Sequence, residues 1–464
     1  MKNRHQLSAL AASASAILLL SACSGSTPAQ PNRDVAAGAG SIAQCVTDSA
    51  GGVAVEEKEL VQLNLISHDA AAVNSLKARA AEVSSLQNSP YTYEITESIS
   101  EASDVATKAN AAISAGTNVP DIIGLDSTRF STFMPSAKTE FFDFTDYLGD
   151  VASDRIESRD AVWSADGRLY GVESGYGLGA FFYNQAAFDE LGIDPAELKT
   201  WDDVIRVGAE KAAPQGKALM GFASGSDGFL YALSQRGGGM FDAEGNVTID
   251  TPEAVEALQM LVDGVEAGAF APFAPADFYG APNYAAMQNE SVIGYAFPDW
   301  WLAYFMKPNL EDQAGEWRAQ PQPRFDAGGY ATGLASGHAW LVYKNGEVSE
   351  AAALLIKCGQ ATSEAQTQMF LESGYLPHNA SAFGDLELQD FTDPFLGDQA
   401  VVPEVYEPAS VDAPVVINNP SWGLAQQVLD KEISDVIAGR KTVEDGLSTA
   451  QRMIEEAIES SGGN

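Results

Sequence analysis

Two periods of hydrophobic and polar positions alternate along the chain. Residues 60–67 (LVQLNLIS) switch between apolar and polar side chains, the period-two pattern of a strand. Residues 70–86 place apolar side chains at helical spacing, with Lys77 and Arg79 turned outward. Residues 91–96 (YTYEIT) predict a second strand, and 102–115 a second helix stopped at Gly116. Pro120 then opens a short apolar strand over 121–126. A β-α-β-α-β order with apolar strands predicts an α/β fold built on a parallel sheet, with helices on both faces. Ligands of such sheets sit beyond the carboxyl ends of the strands. Those ends are Ser67-His68-Asp69 and Leu125-Asp126-Ser127. Further helix starts are marked by a capping box at Thr200-Trp201-Asp202-Asp203 and by proline in the first turn at Thr251-Pro252-Glu253. Boxes at Ser363-Glu364-Ala365-Gln366 and Thr442-Val443-Glu444-Asp445 open two more. Residues 380–419 are richer in Asp and Pro and carry weak structural signals.

At the amino terminus, Lys2 and Arg4 precede a run over 7–20 that is too short and too rich in Ala and Ser for a membrane span. It reads as a secretory signal peptide. Leu20-Ser21-Ala22-Cys23 resembles the lipobox of bacterial lipoproteins. The resemblance implies cleavage after residue 22 and a diacylglyceryl group on Cys23, hence a lipid-anchored protein on the extracytoplasmic face of the cell membrane. Residues 23–58, rich in Ala, Gly, Ser and Thr, are expected to form a flexible tether. In that compartment Cys45 and Cys358 either pair, or remain one tail thiol and one buried helical thiol.

The chain has 464 residues, with 26 Lys+Arg against 64 Asp+Glu, a formal charge of −38. Its length suggests roughly two to four domains. The charge argues against nucleic acid, anionic lipid headgroups and anionic solutes, and favours a neutral or cationic ligand. Little catalytic chemistry is visible. There are four His, no HExxH, no GxSxG and no phosphate-binding GxxxxGK, and the three Cys form no CxxC. No metal or cofactor is expected. A glycosidase needs only two carboxylates, so that reading stays open without motif support.

Four blocks line up in order. They are Pro120-Asp121-Ile122-Ile123; Asp166-Gly167-Arg168-Leu169-Tyr170-Gly171-Val172 with Phe182-Tyr183-Asn184 and Lys199-Thr200-Trp201-Asp202-Asp203; Ala286-Met287-Gln288 leading to Pro298-Asp299-Trp300-Trp301; and His338-Ala339-Trp340-Leu341-Val342 followed by Ser373-Gly374-Tyr375-Leu376-Pro377. Together they resemble the solute-binding proteins of sugar ABC transporters, the family that includes maltose-binding protein. Glu173 and Lys199 stand where that family usually has proline, and Gln185 where it has lysine. The resemblance implies a two-lobed periplasmic-binding-protein fold. Hinge segments cross near Gly171, Ser336 and Pro377, and the ligand lies in the cleft. One lobe would hold 59–171 and 336–376, the other 172–335 and 377–464.

Neutral sugars stack on aromatic rings and hydrogen-bond to carboxylates and amides. Trp300 and Trp301 follow a predicted strand over 292–297, where adjacent side chains point to opposite faces, so one faces the cleft and the other packs. Trp300 is the expected platform and Asp299 the hydroxyl acceptor. His68, Asp69, Asp126 and Ser127 occupy strand ends, with helix capping the alternative role for Asp69. Tyr176 lies in a glycine-rich run that lets backbone approach a ligand. His338 is expected near the second crossing, and Trp340 either binds or packs in the return strand. Trp422 is expected in a loop facing the ligand, and His378 on the surface. The expected function is a monomeric, lipid-anchored receptor that captures a neutral sugar, an oligosaccharide, and hands it to ABC permease subunits in the membrane. Alternatives are a surface glycoside hydrolase or adhesin, or a receptor for a polyol or a cationic solute.

Overall fold

The computed structural model describes residues 40–335 and 337–461. The signal segment, Cys23 and the rest of the chain before residue 40 lie outside the described residues, as does Ser336. The first sheet uses β1 (Glu59–Ser67), β2 (Tyr91–Ile99), β3 (Ile122–Asp126) and β4 (Gly171–Glu173). The second part of the chain supplies β5 (Gly179–Asn184), β6 (Met220–Ala223), β7 (Phe270–Phe273), β8 (Gly294–Pro298) and β9 (Trp317–Gln320), and β10 (His338–Val342) returns to the first sheet. The first sheet has the order β2-β1-β3-β10-β4. Its strands β2, β1 and β3 are parallel, and β10 is antiparallel to both β3 and β4. His338 opposes Asp126, so the start of β10 lies beside the carboxyl ends of β1 and β3. Both β3 and β10 are apolar nearly throughout because they are central strands covered on two faces. The remaining strands form an antiparallel β8-β5-β9 sheet and a parallel β6-β7 pair.

The longer helices are α1 (Ile42–Ser49), α2 (Ala70–Ser85), α3 (Ala102–Ala115), α4 (Ser226–Arg236), α5 (Pro252–Glu266), α6 (Ser349–Gln360), α7 (Ser363–Ser373), α8 (Trp422–Ile437) and α9 (Val443–Ser460). Local sequence sets their ends. Asp69 accepts from the Ala72 amide at the start of α2, and Thr251 from the Ala254 amide at the start of α5. Gly116 closes α3 at φ 64°, a left-handed conformation that glycine adopts without penalty. Thr362, one residue earlier than expected, caps α7.

Buried apolar side chains fall into separate cores. One draws on residues 42–172 and 339–375. Two others draw almost entirely on residues 176–334 and 376–454. The chain therefore passes between the first core and the others around residues 173–175, 335–338 and 374–376.

The expected tether over 23–58 is corrected in its second half. Residues 42–49 form α1, because Ile42, Cys45 and Val46 recur on one face and bury it in the first core. A Cys45–Cys358 disulfide joins α1 to α6, with Cα atoms 5.4 Å apart. The Ile42 amide donates to Glu364 Oε2 at 2.8 Å, and the Glu364 amide donates to the Gly40 carbonyl at 2.9 Å. Among the described residues no helix is long and apolar enough to cross a membrane.

Candidate functional site

The carboxyl ends of β1 and β3 and the start of β10 form one wall. Behind it, His338 is buried between two serines. Its Nδ1 lies 2.6 Å from Ser174 Oγ and its Nε2 lies 3.1 Å from Ser67 Oγ. Burial lowers its pKa to about 3, so the ring is neutral and holds its two hydroxyl partners without a charge to solvate. His68, half-buried, meets this ring edge-on at 5.3 Å, and its Nδ1 has no partner. Gly124 makes the arrangement possible. A Cβ there would lie 2.5 Å from Trp340 and 2.7 Å from both His338 Nε2 and Ser67 Oγ. Asp69 is 6 % exposed and, besides capping α2, accepts from the Tyr375 hydroxyl. Asp126, half-buried, accepts from the Thr128 hydroxyl and the Arg129 amide. Ser127 is buried, and its amide donates to the Gly337 carbonyl at 2.9 Å.

The opposite wall comes from the segments after β6, β7 and β8. At Asp299 the chain leaves β8 and turns helical, so the expected strand alternation of Trp300 and Trp301 does not apply. Trp301 is fully buried between Phe278 and Phe305, stacked at 4.6 and 4.9 Å. It is a core residue. Trp300 stays half-buried, edge-on to Phe297 at 5.1 Å and to Phe305 at 5.9 Å. Tyr304 lies 5.3 Å from the Tyr375 ring. Asp227, at the start of α4, accepts from the Tyr279 hydroxyl and from Gln426 Nε2, both at 3.1 Å. Burial raises its pKa, and the nearby charges of Asp430 and Asp126 push it the same way. Because Asp126 belongs to the first wall, the two walls sense each other's charge there.

Asp299 does not present itself to a ligand. It is 3 % exposed, its Oδ2 accepts from the Leu376 amide at 3.0 Å, and its Oδ1 has no partner. Burial pushes its pKa up to about 7. This carboxyl joins the end of β8 to the third crossing. Tyr176 is likewise corrected from a ligand contact to a hinge side chain. It is fully buried, with Arg159 5.3 Å from its ring centroid, and its amide donates to the Leu376 carbonyl at 2.9 Å. Glu173 pairs with Arg159 and accepts from Trp163 Nε1 at 3.2 Å, which accounts for a carboxylate where the resembling family has proline.

Three further expectations change. Trp340 is fully buried and donates to Gln360 at 3.1 Å, so of its two roles it packs. Trp422 begins α8 and packs against Phe241 at 6.3 Å in a core, because its loop ends one residue earlier than the turn signals suggest. His378 is fully buried against Arg155, not at the surface, and burial lowers its pKa well below the usual value. Of the expected binding residues, the structure gathers His68, Asp69, Asp126 and Ser127 at the strand ends of the first wall and sets Trp300 on the second, with its Nε1 3.5 Å from the Ala335 carbonyl. Sequence reading missed Asp227, Tyr279, Tyr304, Tyr375 and Gln426. A signal for Asp227 was present. Ser224-Gly225-Ser226-Asp227 follows β6 as His68-Asp69 follows β1, and the strand-end rule applies to both. A cavity of about 540 Å³ lined by Lys138, Phe142, Arg168, Tyr170 and Lys344 lies at the far end of the first sheet and contains none of these residues.

The half-buried rings offer flat apolar faces, while carboxylates, hydroxyls and an amide offer directed hydrogen bonds. That combination suits a polyhydroxylated solute. Two arabinooligosaccharide-binding proteins are similar to this chain. The one from Halalkalibacterium halodurans is 27% identical over 270 residues, 57% of this chain and 60% of the relative. The one from Bacillus subtilis is 26% identical over 286 residues, 61% of this chain and 66% of the relative. The chain thus spans less than two thirds of either relative. Among solved structures, the galacto-N-biose/lacto-N-biose I-binding protein of a Bifidobacterium longum ABC transporter, in complex with lacto-N-biose, superimposes with a TM-score of 0.71. It is 20% identical, and the match covers 88% of this chain and all of that one. An ABC-transporter-associated binding protein of Bifidobacterium animalis subsp. lactis, in complex with β-1,6-galactobiose, gives 0.70 at 17% identity, over 87% of this chain and 99% of that one. These likenesses establish the two-lobed fold, and none of these relatives is an enzyme by name. Residues 83–392 match the family described as bacterial extracellular solute-binding protein, and the chain belongs to that family.

Proposed function

We propose that this chain is the solute receptor of an ABC importer, anchored by a lipid on Cys23, and that it captures a neutral oligosaccharide by closing two lobes over it. The observation that carries this reading is the pairing of half-buried Trp300, Tyr304 and Tyr279 on one side with His68, Asp69 and Asp126 on the other, around the three crossings. The lobes are 59–171 with 336–376, and 172–335 with 377–464. Arabino-oligosaccharides head the list of candidates, because both curated relatives carry that specificity in their names. The neighbours that hold lacto-N-biose and β-1,6-galactobiose support a di- or oligosaccharide. The cycle makes and breaks no bond. A cationic solute is the second reading, supported by the proximity in charge of Asp126 and Asp227, one from each wall.

The test is a thermal-shift screen of the full chain against arabino-oligosaccharides, lacto-N-biose and β-1,6-galactobiose, with polyols and polyamines as controls. A ligand at 100 times its Kd adds about 2.7 kcal/mol of stability. A shift with one sugar, recovered uncleaved, supports the receptor. Shifts with polyamines alone overturn the sugar assignment, and cleavage of the sugar overturns the binding-only role.

A further inference from the structure

Between the short helix Glu407–Ser410 and α8, residues 411–421 form neither helix nor strand. This segment begins and ends on the second lobe. The Ala331 amide donates to the Asp412 carbonyl at 3.0 Å, and Arg324 pairs with the Asp412 carboxylate at 3.0 Å. At the other end Asn419 accepts from the Ser421 amide at 2.8 Å and from the Trp422 amide at 2.9 Å, which fixes it to the start of α8. Between these anchors the segment reaches across to the first lobe. Asn418 Nδ2 donates to the Ser127 carbonyl at 2.7 Å and to the Val162 carbonyl at 3.4 Å. Val416 packs against all three cores at once.

The other bonds between lobes described above belong to the crossings or lie beside them: Asp299 and Tyr176 with Leu376, Ser174 with His338, Glu173 with Arg159, and Arg155 with His378. Those move with the hinge. Asn418 belongs to no crossing, so its bonds are broken when the lobes part. One of its two acceptors, Ser127, directly follows Asp126 in the site wall. The segment also keeps Val411 and Val415 exposed, at 77% and 48%. It is held by its ends, by Ala413 and the buried Pro414 on the second lobe, and by Val416 and Asn418.

We propose that residues 411–419 are a latch, and that the Asn418 amide closing on Ser127 and Val162 sets how long a captured solute stays in the cleft. The proposal rests on the two-lobe closure put forward above. Opening costs the latch two hydrogen bonds to main-chain carbonyls and exposes Val416, while encounter with solute in the open state involves neither. The latch therefore acts on departure and leaves arrival alone, the usual division when a contact forms only after encounter.

Two readouts test it on the purified full chain. The first is stopped-flow binding of the tightest sugar of the panel to wild type, Asn418→Ala, Asn418→Asp and the exposed neighbour Val415→Ser. Asn418→Ala is expected to raise the dissociation rate at least about fivefold with an association rate within about twofold. Asn418→Asp, which turns oxygen toward two carbonyls, is expected to raise it further, and Val415→Ser is expected to match wild type. The second is the distance between spin labels at positions 108 and 452, on α3 and α9, carried by non-natural residues that spare the native cysteines. Without ligand, Asn418→Ala should shift this distribution to longer distances. A folded Asn418→Asp with wild-type dissociation rate and wild-type distances overturns the latch. If wild type binds nothing in the panel, the proposed function fails, and the label distances still decide the latch.

Discussion

Asp299 offers a test in which the magnitude follows from the site. Its carboxyl is buried, one oxygen has no partner, and burial has moved its pKa from 3.8 to about 7. Between those two values the unfolded chain has released this proton and the folded chain keeps it. Stability therefore falls as pH rises, by about 1.4 kcal/mol per pH unit. The neutral carboxyl's contribution is fully present below pH 3.8 and is gone once the pH has risen through 7. Across about three units the loss is on the order of 4 kcal/mol. Asn in place of Asp keeps the shape and still offers an oxygen to the Leu376 amide, but does not titrate. Urea denaturation of wild type and Asp299→Asn at a series of pH values from 4 to 9 reads the difference, in which effects of the large net charge cancel. The variant is expected to gain on wild type steadily up to pH 7 and to level off above pH 8. A difference that stays flat over that range would show that Asp299 is ionised throughout, and the argument from its burial would fail.

Removing the Cys45–Cys358 disulfide, which closes a loop of 313 residues, should cost at most about 6 kcal/mol in the chain-entropy account. That corresponds to a melting temperature at most roughly 6 °C lower for a body of this size, read by calorimetry of the Cys45→Ser/Cys358→Ser pair. Trp300→Ala should weaken sugar binding by about 10- to 100-fold in titration calorimetry while leaving the unliganded melting temperature nearly unchanged, since the ring is only half-buried. An unchanged Kd would remove Trp300 from the platform. Gly124→Ala should destabilise by about 1–3 kcal/mol in urea unfolding, because its Cβ meets Trp340, His338 and Ser67 at once.

The first lobe was largely legible in the sequence because its signals are local. Periodicity placed β1, α2 and α3 within three residues of where they are found, and Gly116 ended α3 as read. The strand-end rule pointed to His68, Asp69 and Asp126, whose positions depend on a few residues of chain. Elsewhere the deciding interactions are distant. The strand alternation assumed at Trp300 and Trp301 failed because Asp299 is pulled into a turn by the Leu178 carbonyl and the Leu376 amide, one contact 121 residues before it and the other 77 after it. His378 reads as polar surface after a proline, yet Arg155, far earlier in the chain, gives it a buried partner. Gln426 and Tyr279 carry no local mark, because they acquire a role only when α8 and the segment after β7 converge on Asp227. Residues 42–49 look like the rest of a Gly- and Ser-rich leader, and the half of the disulfide that docks them lies 313 residues away.

On the proposed Cys23 anchor, the docking of α1 would shorten the leash that holds the receptor to the membrane. With the anchor proposed at Cys23, eighteen residues separate it from the first fixed point of the body at Ser41, against thirty-six to β1. Fully extended, that is about 60 Å in place of about 120 Å. Halving the radius cuts the accessible volume about eightfold and raises the encounter frequency with a permease in the same membrane by a similar factor. The disulfide holds the attachment point on the first lobe, so this proximity survives every opening and closing of the cleft. With that anchor, an oxidising exterior would govern delivery as well as stability: reducing one bond would lengthen the leash and dilute the receptor around the permease it is proposed to serve.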